Sequence, residues 1–430
     1  MNLKSRYLES VKLLRSAERV IPLGSQTFSK SRTQYPVGVS PFFASKSSGS
    51  YIWDVDGNKY IDLVASLAAV TLGYGDPDIN KAVKRQLKKG VSLSLSSKIE
   101  ALVAEKIIDL VPSAEMVRFA KNGSDVTSAA VRIARHFTNR DHIISIGYHG
   151  WHDWYIGSTT RSMGVPKAVQ ALTLSAKYND LSSVENIFDK VKGDVAAVIL
   201  EPMNSVDPAP GYLESLRYFC SSNDVLLIFD EVITGFRFAK GGAQELFGVT
   251  PDLSCFGKGL ANGFPISAIA GKKEIMEGFQ EVFFSGTFGG ELLSLTAASV
   301  VLDKVKGGSV IPKLYSSGNN LKQRLAREIS ENGYDFVTLS GNPTWTFLNW
   351  NFNNETLQNQ AKTFFLQEMF RRGILVLSTN NVTTTLSQKD LDKIVTAYAE
   401  VFSAIAHALK EDSLEALLEC QPIVPLFKVR

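Results

Sequence analysis

The sequence predicts an α/β protein, with a large domain built on a mainly parallel sheet between helices and a smaller α+β domain after it. Three observations lead there. Between about residues 98 and 300, helical stretches alternate with short apolar runs at Val117–Phe119, His142–Ile146, Val195–Leu200, Val225–Phe229 and Ala268–Ala270, the rhythm of strands buried between helices. After roughly residue 310 the rhythm becomes helix, strand, helix. The chain's 430 residues also exceed the roughly 100–200 of one typical domain.

Taken in order, Tyr7, Val11 and Leu14 recur at helical spacing among charges, and the helix they predict stops near Pro22 and Gly24. Gly24–Gly49 is rich in Ser, Pro and Gly without a period, so it reads as an irregular segment over a surface or a site. Tyr51-Ile52-Trp53 and Tyr60–Leu63 flank Asp54–Asn58, and the Asp56-Gly57 pair favours the positive φ angles of a hairpin turn. Beyond the α/β region, Phe364, Phe365, Met369 and Phe370 line a helix ending at Gly373. Ile374–Leu377 follows as a strand, and Ser387 caps a last helix through Phe402. The expected division is residues 1–50 as helix and irregular cover joining the small domain, 51–310 as the large domain and 311–430 as the small one.

Composition excludes several classes. Lys+Arg 46 against Asp+Glu 43, spread along the chain, gives no concentrated basic surface for nucleic acid. Lys81, Lys84, Arg85, Lys88 and Lys89 form a helical stripe, read as a solvated face. Apolar runs such as Val195–Leu200 fall far short of the roughly 20 residues that span a bilayer. No signal peptide is evident at the N-terminus, and Cys220, Cys255 and Cys420 form no C-x-x-C pair. A cytoplasmic protein is expected, with no membrane and no nucleic-acid partner.

Some motifs fail on inspection. Asp54-x-Asp56-x-Asn58 begins like a calcium loop, but its glycine comes too early and Ala65 stands where Glu should close it. Gly257-Lys258 resembles the end of a P-loop, yet Gly259 replaces the magnesium-binding hydroxyl. His149, His152 and Asp153 lack a metal-ligand pattern, so no metal is expected and His149 reads as orienting a turn.

Three elements at predicted strand ends carry chemistry. Lys121-Asn122-Gly123-Ser124-Asp125 follows a strand and opens a helix, offering backbone N–H groups and a hydroxyl to a phosphate, although Ser-Asp also caps ordinary helices. Val225–Phe229 runs into Asp230-Glu231, placing a carboxylate where burial demands a cation or a strong donor. Lys258 sits between Gly257 and Gly259, which leave room for a close approach. A phosphate cradle, an acid for a pyridine nitrogen and a lysine for an aldehyde are together what pyridoxal phosphate requires.

On these residues the chain resembles the class III, or subgroup II, aminotransferases of the fold-type I pyridoxal phosphate enzymes, in the branch of glutamate-1-semialdehyde 2,1-aminomutase. Tyr51–Asp62 is similar to that branch's hairpin, Leu110–Arg135 to its phosphate-binding strand and helix, and Tyr148-His149-Gly150 to its ring-stacking motif; Glu201-Pro202, Asp230-Glu231-Val232 and Gly257-Lys258-Gly259 follow in the family's order. The resemblance implies a seven-stranded, mainly parallel sheet. It makes Lys258 the Schiff-base lysine, Asp230 the partner of the pyridine nitrogen, and Tyr148 and Val232 the residues on the two ring faces. Asn122, Gly123 and Ser124 would hold the phosphate, Glu201 would belong to the cofactor site, and Trp53 and Ser25 would border the substrate. Thr287 would reach the cofactor of the neighbouring subunit in a homodimer.

Departures from the aminomutase concern the substrate. Gly24–Ser31 replaces its Asn-Ser-Pro-Val-Arg segment, and Gly286–Gly290 departs from Gly-Thr-Leu-Ser-Gly-Asn-Pro. The resemblance therefore implies an aminotransferase moving an amino group from a small-molecule donor, L-glutamate, to a carbonyl acceptor, a sugar-derived one of surface-glycan biosynthesis. The aminomutase reaction itself is the alternative, and a catalytically silent binding protein that keeps the fold is a third reading.

Overall fold

The structure is a computed structural model that describes residues 6–424. The chain divides into two compact units, one holding the residues up to Leu67, Thr71–Asp76 and the chain from Lys313 on, the other Ala68–Val70 and Pro77–Pro312.

The second unit carries a seven-stranded sheet. Its strands are β4 (Met116–Ala120), β5 (His142–Ile146), β6 (Thr173–Ser175), β7 (Val195–Leu200), β8 (Leu226–Asp230), β9 (Leu253–Phe256) and β10 (Ser267–Gly271). They lie in the order β4-β10-β9-β8-β7-β5-β6. Only β10 runs against its neighbours, pairing antiparallel with both β4 and β9, so β4 points the same way as the five parallel strands. The sequence expectation of a mainly parallel sheet holds for a visible reason: β7, β8 and β9 are buried at every position, as strands covered on both faces must be. One face packs on the helix Gly123–Thr138 through Val126, Ala130 and Ile133, which meet Ile199, Ile228 and Ile269. The other face, with Ile144, Leu200 and Leu227, packs on Leu213 and Leu216 of the helix Tyr212–Ser222.

In the first unit, β1 (Ala44–Ser48), β2 (Tyr51–Asp54), β3 (Lys59–Asp62) and β13 (Ile374–Leu375) form a four-stranded sheet. The expected hairpin is present, with Tyr51 opposite Ile61 and Gly57 at φ 85° in its turn. It clusters with the C-terminal part of the chain, whereas the expectation placed it in the large domain; β3 pairs parallel with β13, Ile61 opposite Ile374. Part of the segment expected to be irregular is β1, whose residues are all exposed and therefore show no alternation. The unit also holds a three-stranded sheet of β11 (Val337–Ser340), β12 (Trp345–Trp350) and β14 (Thr379–Asn381), most of the helix Val310–Glu331 and two further long helices. The first, Glu355–Arg371, stops before Gly373 at φ 73°, and the second, Gln388–Lys410, starts at a capping box between Ser387 and Asp390 and outruns the expected Phe402. Among the described residues no helix is long and apolar enough to cross a membrane.

Candidate active site

Strand direction assembles the site. Because β4, β5, β7, β8 and β9 run the same way, the residues that follow them share one edge of the second unit's sheet, where ligands of such sheets bind. The phosphate turn follows β4, Tyr148-His149-Gly150 follows β5, Glu201 follows β7, Asp230 ends β8 and Lys258 follows β9.

Asp230 is 6% exposed. Its Oδ2 lies 2.8 Å from His149 Nδ1, and its Oδ1 accepts from the Val232 N–H at 3.2 Å. A carboxylate only accepts, so Nδ1 carries the proton of this bond. The expectation that His149 orients a turn is corrected by this contact, which fixes the carboxylate. The ring is clamped by Trp154, stacked at 6.1 Å between centroids, and by Tyr155 edge-on at 5.3 Å. Trp154 is held in turn, its Nε1–H donating to Ser128 Oγ at 2.9 Å, and Ser128 Oγ lies 2.7 Å from His152 Nδ1. His149 and His152 thus face different partners, and among the described residues no group of His, Cys, Asp and Glu is arranged to hold a metal ion.

Neighbouring Glu231 has another task. Its carboxylate accepts from Thr234 Oγ1 at 2.6 Å, Ala243 N at 2.6 Å and Gln244 N at 3.0 Å. Burial pushes its carboxyl pKa up against these bonds. It ties the chain after β8 to the following helix.

The helix Gly123–Thr138 begins at a capping box between Asn122 and Asp125, and Asn122 N donates to Asp125 Oδ2 at 2.7 Å. Its first-turn N–H groups lack partners within the helix and form the start of an anion cradle. The cradle is narrow. A Cβ at Gly123 would sit 3.0 Å from Val232 Cγ1, and one at Gly150, whose φ is 106°, would sit 2.2 Å from Ser124 Oγ. Ser124 Oγ also accepts from Trp151 N at 3.3 Å, so the motif after β5 rests directly on the phosphate turn. Buried Glu201 accepts from the Tyr148 N–H at 3.1 Å, and Tyr148 meets Tyr155 edge-on at 5.6 Å. Glu201 therefore contributes through the placement of Tyr148.

Lys258 opens the short turn Lys258–Ala261 with φ 41°, a left-handed conformation that a side chain adopts only under constraint. A Cβ at Gly257 would lie 3.3 Å from Val232 Cγ1, so the residue before the lysine and the residue after Asp230-Glu231 are in close approach. Thr287 is exposed, on a turn in which Gly289 N donates to Gly286 O at 3.0 Å.

Trp53 and Ser25 belong to the first unit. Lys46 Nζ stands 4.9 Å and Lys59 Nζ 5.2 Å from the Trp53 ring centroid. Trp53 borders a cavity of about 300 Å³ that Lys30, Tyr35, Phe43, Asp62 and Tyr74 also line. Ser25 Oγ donates to Thr27 O at 3.2 Å and shapes its own turn.

The donor set fits pyridoxal phosphate: a helix N-terminus too tight for side chains, an acid oriented by a histidine, and a lysine held in a strained turn on the same edge. Comparison with known proteins agrees. The aminotransferase class-III family model matches residues 34–397. A curated relative, glutamate-1-semialdehyde 2,1-aminomutase of Methanosarcina acetivorans, is 35% identical over 421 residues, covering 89% of this chain and 99% of the relative. The protein of that name from Alkaliphilus oremlandii is 41% identical over 350 residues, 76% of this chain and 81% of its own. Among solved structures, the pyridoxal phosphate internal aldimine form of the FumI protein of Sphingopyxis sp. MTA144 superposes with a TM-score of 0.88 at 26% identity, covering 96% of this chain and 99% of that one. An omega-transaminase from Sphaerobacter thermophilus gives 0.85 at 25% identity over 93% and 99%.

Proposed function

This chain belongs to the class-III aminotransferases and is a pyridoxal-phosphate-dependent enzyme of that class; from this premise we propose that it catalyses an intermolecular transamination, from L-glutamate to a carbonyl acceptor of sugar-derived type. The cofactor supplies the electron sink into which the substrate Cα releases charge. The chain's own residues supply the rest. Lys258 would hold the cofactor's aldehyde and would carry the proton at the substrate Cα. Asp230, steadied by His149, would hold a proton on the pyridine nitrogen. Asn122, Gly123 and Ser124 would receive the phosphate, and Tyr148, placed by Glu201, and Val232 would hold the ring.

One observation favours transamination over the aminomutase reaction. Gly24–Ser31, which replaces the aminomutase's Asn-Ser-Pro-Val-Arg, contains no arginine, and the arginine that follows it is engaged elsewhere, Arg32 Nε lying 3.0 Å from Glu18 Oε1. The second reading is the aminomutase itself, and the names of the curated relatives support it better than the first.

We also read the enzyme as a cytosolic homodimer in which Thr287 completes the partner's phosphate site. Phe283 and Phe288, 79% and 57% exposed on either side of Thr287, support an apolar contact there.

A spectral titration across amino donors, followed by an acceptor screen, tests the proposal. L-glutamate should bleach the bound cofactor's visible band and yield 2-oxoglutarate. A response confined to diamino and amino-oxo valerate species would replace transamination by the aminomutase reaction.

A further inference from the structure

Lys121 directly precedes the phosphate turn, and its Nζ lies 3.1 Å from Glu291 Oε2. The two side chains are only 20% and 12% exposed, so water screens their attraction less than at an open surface. Both ends are anchored. On the lysine side, Lys121 N and Asn122 N donate to Asp125 Oδ2 at 3.2 and 2.7 Å, the carboxylate that closes the capping box of the phosphate-turn helix. On the other side, Glu291 is the N-cap of the helix Leu292–Lys306, accepting from Leu293 N at 2.6 Å and Ser294 N at 3.1 Å. Burial alone would raise the Glu291 carboxyl pKa, yet Ser294, Leu293 and Lys121 together hold it below its ordinary value.

The segment between Thr287 and Glu291 is short and tightly packed. Glu291 N donates to Phe288 O at 3.2 Å, closing a second turn after the one at Gly286. A Cβ at Gly289 would lie 3.2 Å from Phe119 O, at the end of β4, and one at Gly290 would lie 3.0 Å from the Glu100 carboxyl carbon. A displacement of the phosphate turn is therefore passed to the exposed Thr287 through an ion pair and three intervening residues with little slack.

We propose that the Lys121–Glu291 ion pair is a positioning device that joins the phosphate turn of one subunit to the segment presenting Thr287 to its partner, so that cofactor binding and dimer assembly strengthen each other. This rests on the dimer reading above. Linkage makes the effect reciprocal: a phosphate that orders the turn steadies the segment, and a partner docked on the segment steadies the turn.

The test uses the full chain, stripped of cofactor and reloaded with pyridoxal phosphate. The dimer dissociation constant is measured by sedimentation with and without the cofactor, beside the rate of cofactor loss on dilution. For the native protein the cofactor should tighten the dimer roughly tenfold, a typical coupling between sites. Lys121→Met and Glu291→Gln should each remove most of that tightening and speed cofactor loss, the double variant should do no more than either, and Lys121→Arg should restore it. If Lys121→Met weakens cofactor retention while Glu291→Gln behaves as native, the lysine serves the phosphate directly and the proposal is overturned. It is equally overturned if the tightening survives both substitutions. A cofactor-loaded native chain that stays monomeric at every concentration overturns the dimer reading and the inference with it.

Discussion

His149 Nδ1 lies 2.8 Å from Asp230 Oδ2, so a side chain just past β5 reaches over β7 to the end of β8 and fixes the acid there. Both groups are buried, and His149 stacks on Trp154. In the role proposed for Asp230, keeping a ring nitrogen protonated, the acid needs a fixed direction as well as a charge, and this contact provides it.

Replacing His149 with Ala should therefore leave cofactor binding largely intact while slowing turnover. A hydrogen bond to a charged group contributes about 1.5–3 kcal/mol, which corresponds to roughly a 10- to 100-fold loss in kcat. A purely structural role would not move the pH at which the bound cofactor's absorbance changes; a positioning role would. Both quantities are read from one series of spectra and rates across pH, and His149→Asn should recover part of the loss.

Gly150→Ala tests the closeness of the cradle. The residue combines φ 106° with a Cβ position 2.2 Å from Ser124 Oγ, so backbone strain and a clash act together. Strain in this region alone costs roughly 1–2 kcal/mol. Thermal melting should show a lower midpoint, and the midpoint should no longer rise when pyridoxal phosphate is added, because the shifted Ser124 spoils the phosphate turn.

Acid stability should depend on Asp252. Burial alone would raise its pKa, but Lys272 Nζ at 2.6 Å, Arg217 at 2.7 Å and the Leu227 N–H at 2.8 Å hold the carboxyl below its ordinary value. A carboxyl depressed in the folded state stabilises fully above the unfolded-state pKa of about 3.9 and loses that contribution as pH falls through the lower folded value. Urea unfolding from pH 7 downward should show a steep acid limb that Asp252→Asn flattens, with lower stability at neutral pH. A variant that keeps the native limb would contradict this assignment.

The readable part of the site was the part written in local sequence. The rhythm puts Asp230 at the end of the apolar run Val225–Phe229, on the edge to which a parallel sheet sends its strand ends, whereas the role of Lys258 comes from the three-part cofactor pattern and the family resemblance. The antiparallel direction of β10 left no such trace, because a buried strand is apolar whichever way it runs. β9 is absent from the strands that the rhythm predicts, because its four residues, Leu253–Phe256, are too short a run to stand out. β1 escaped because Ala44–Ser48 is exposed throughout and is held by backbone pairing with β2.

Contacts between distant segments were the illegible part. Nothing near His149 announces Asp230, 81 residues on, and nothing near Lys121 announces Glu291, 170 residues away. The same applies to the hairpin Tyr51–Asp62, whose local pattern was clear while its pairing partner, Ile374–Leu375, lies far along the chain.

We propose that Lys258, which follows the strand next to the one that Asp230 ends, carries pyridoxal phosphate. The most direct measurement is borohydride reduction of the purified, cofactor-loaded enzyme, followed by mass mapping of its peptides. A single pyridoxyl group is expected on Lys258, and none in Lys258→Ala. A label on another lysine, or a native protein that takes up no cofactor, would contradict it.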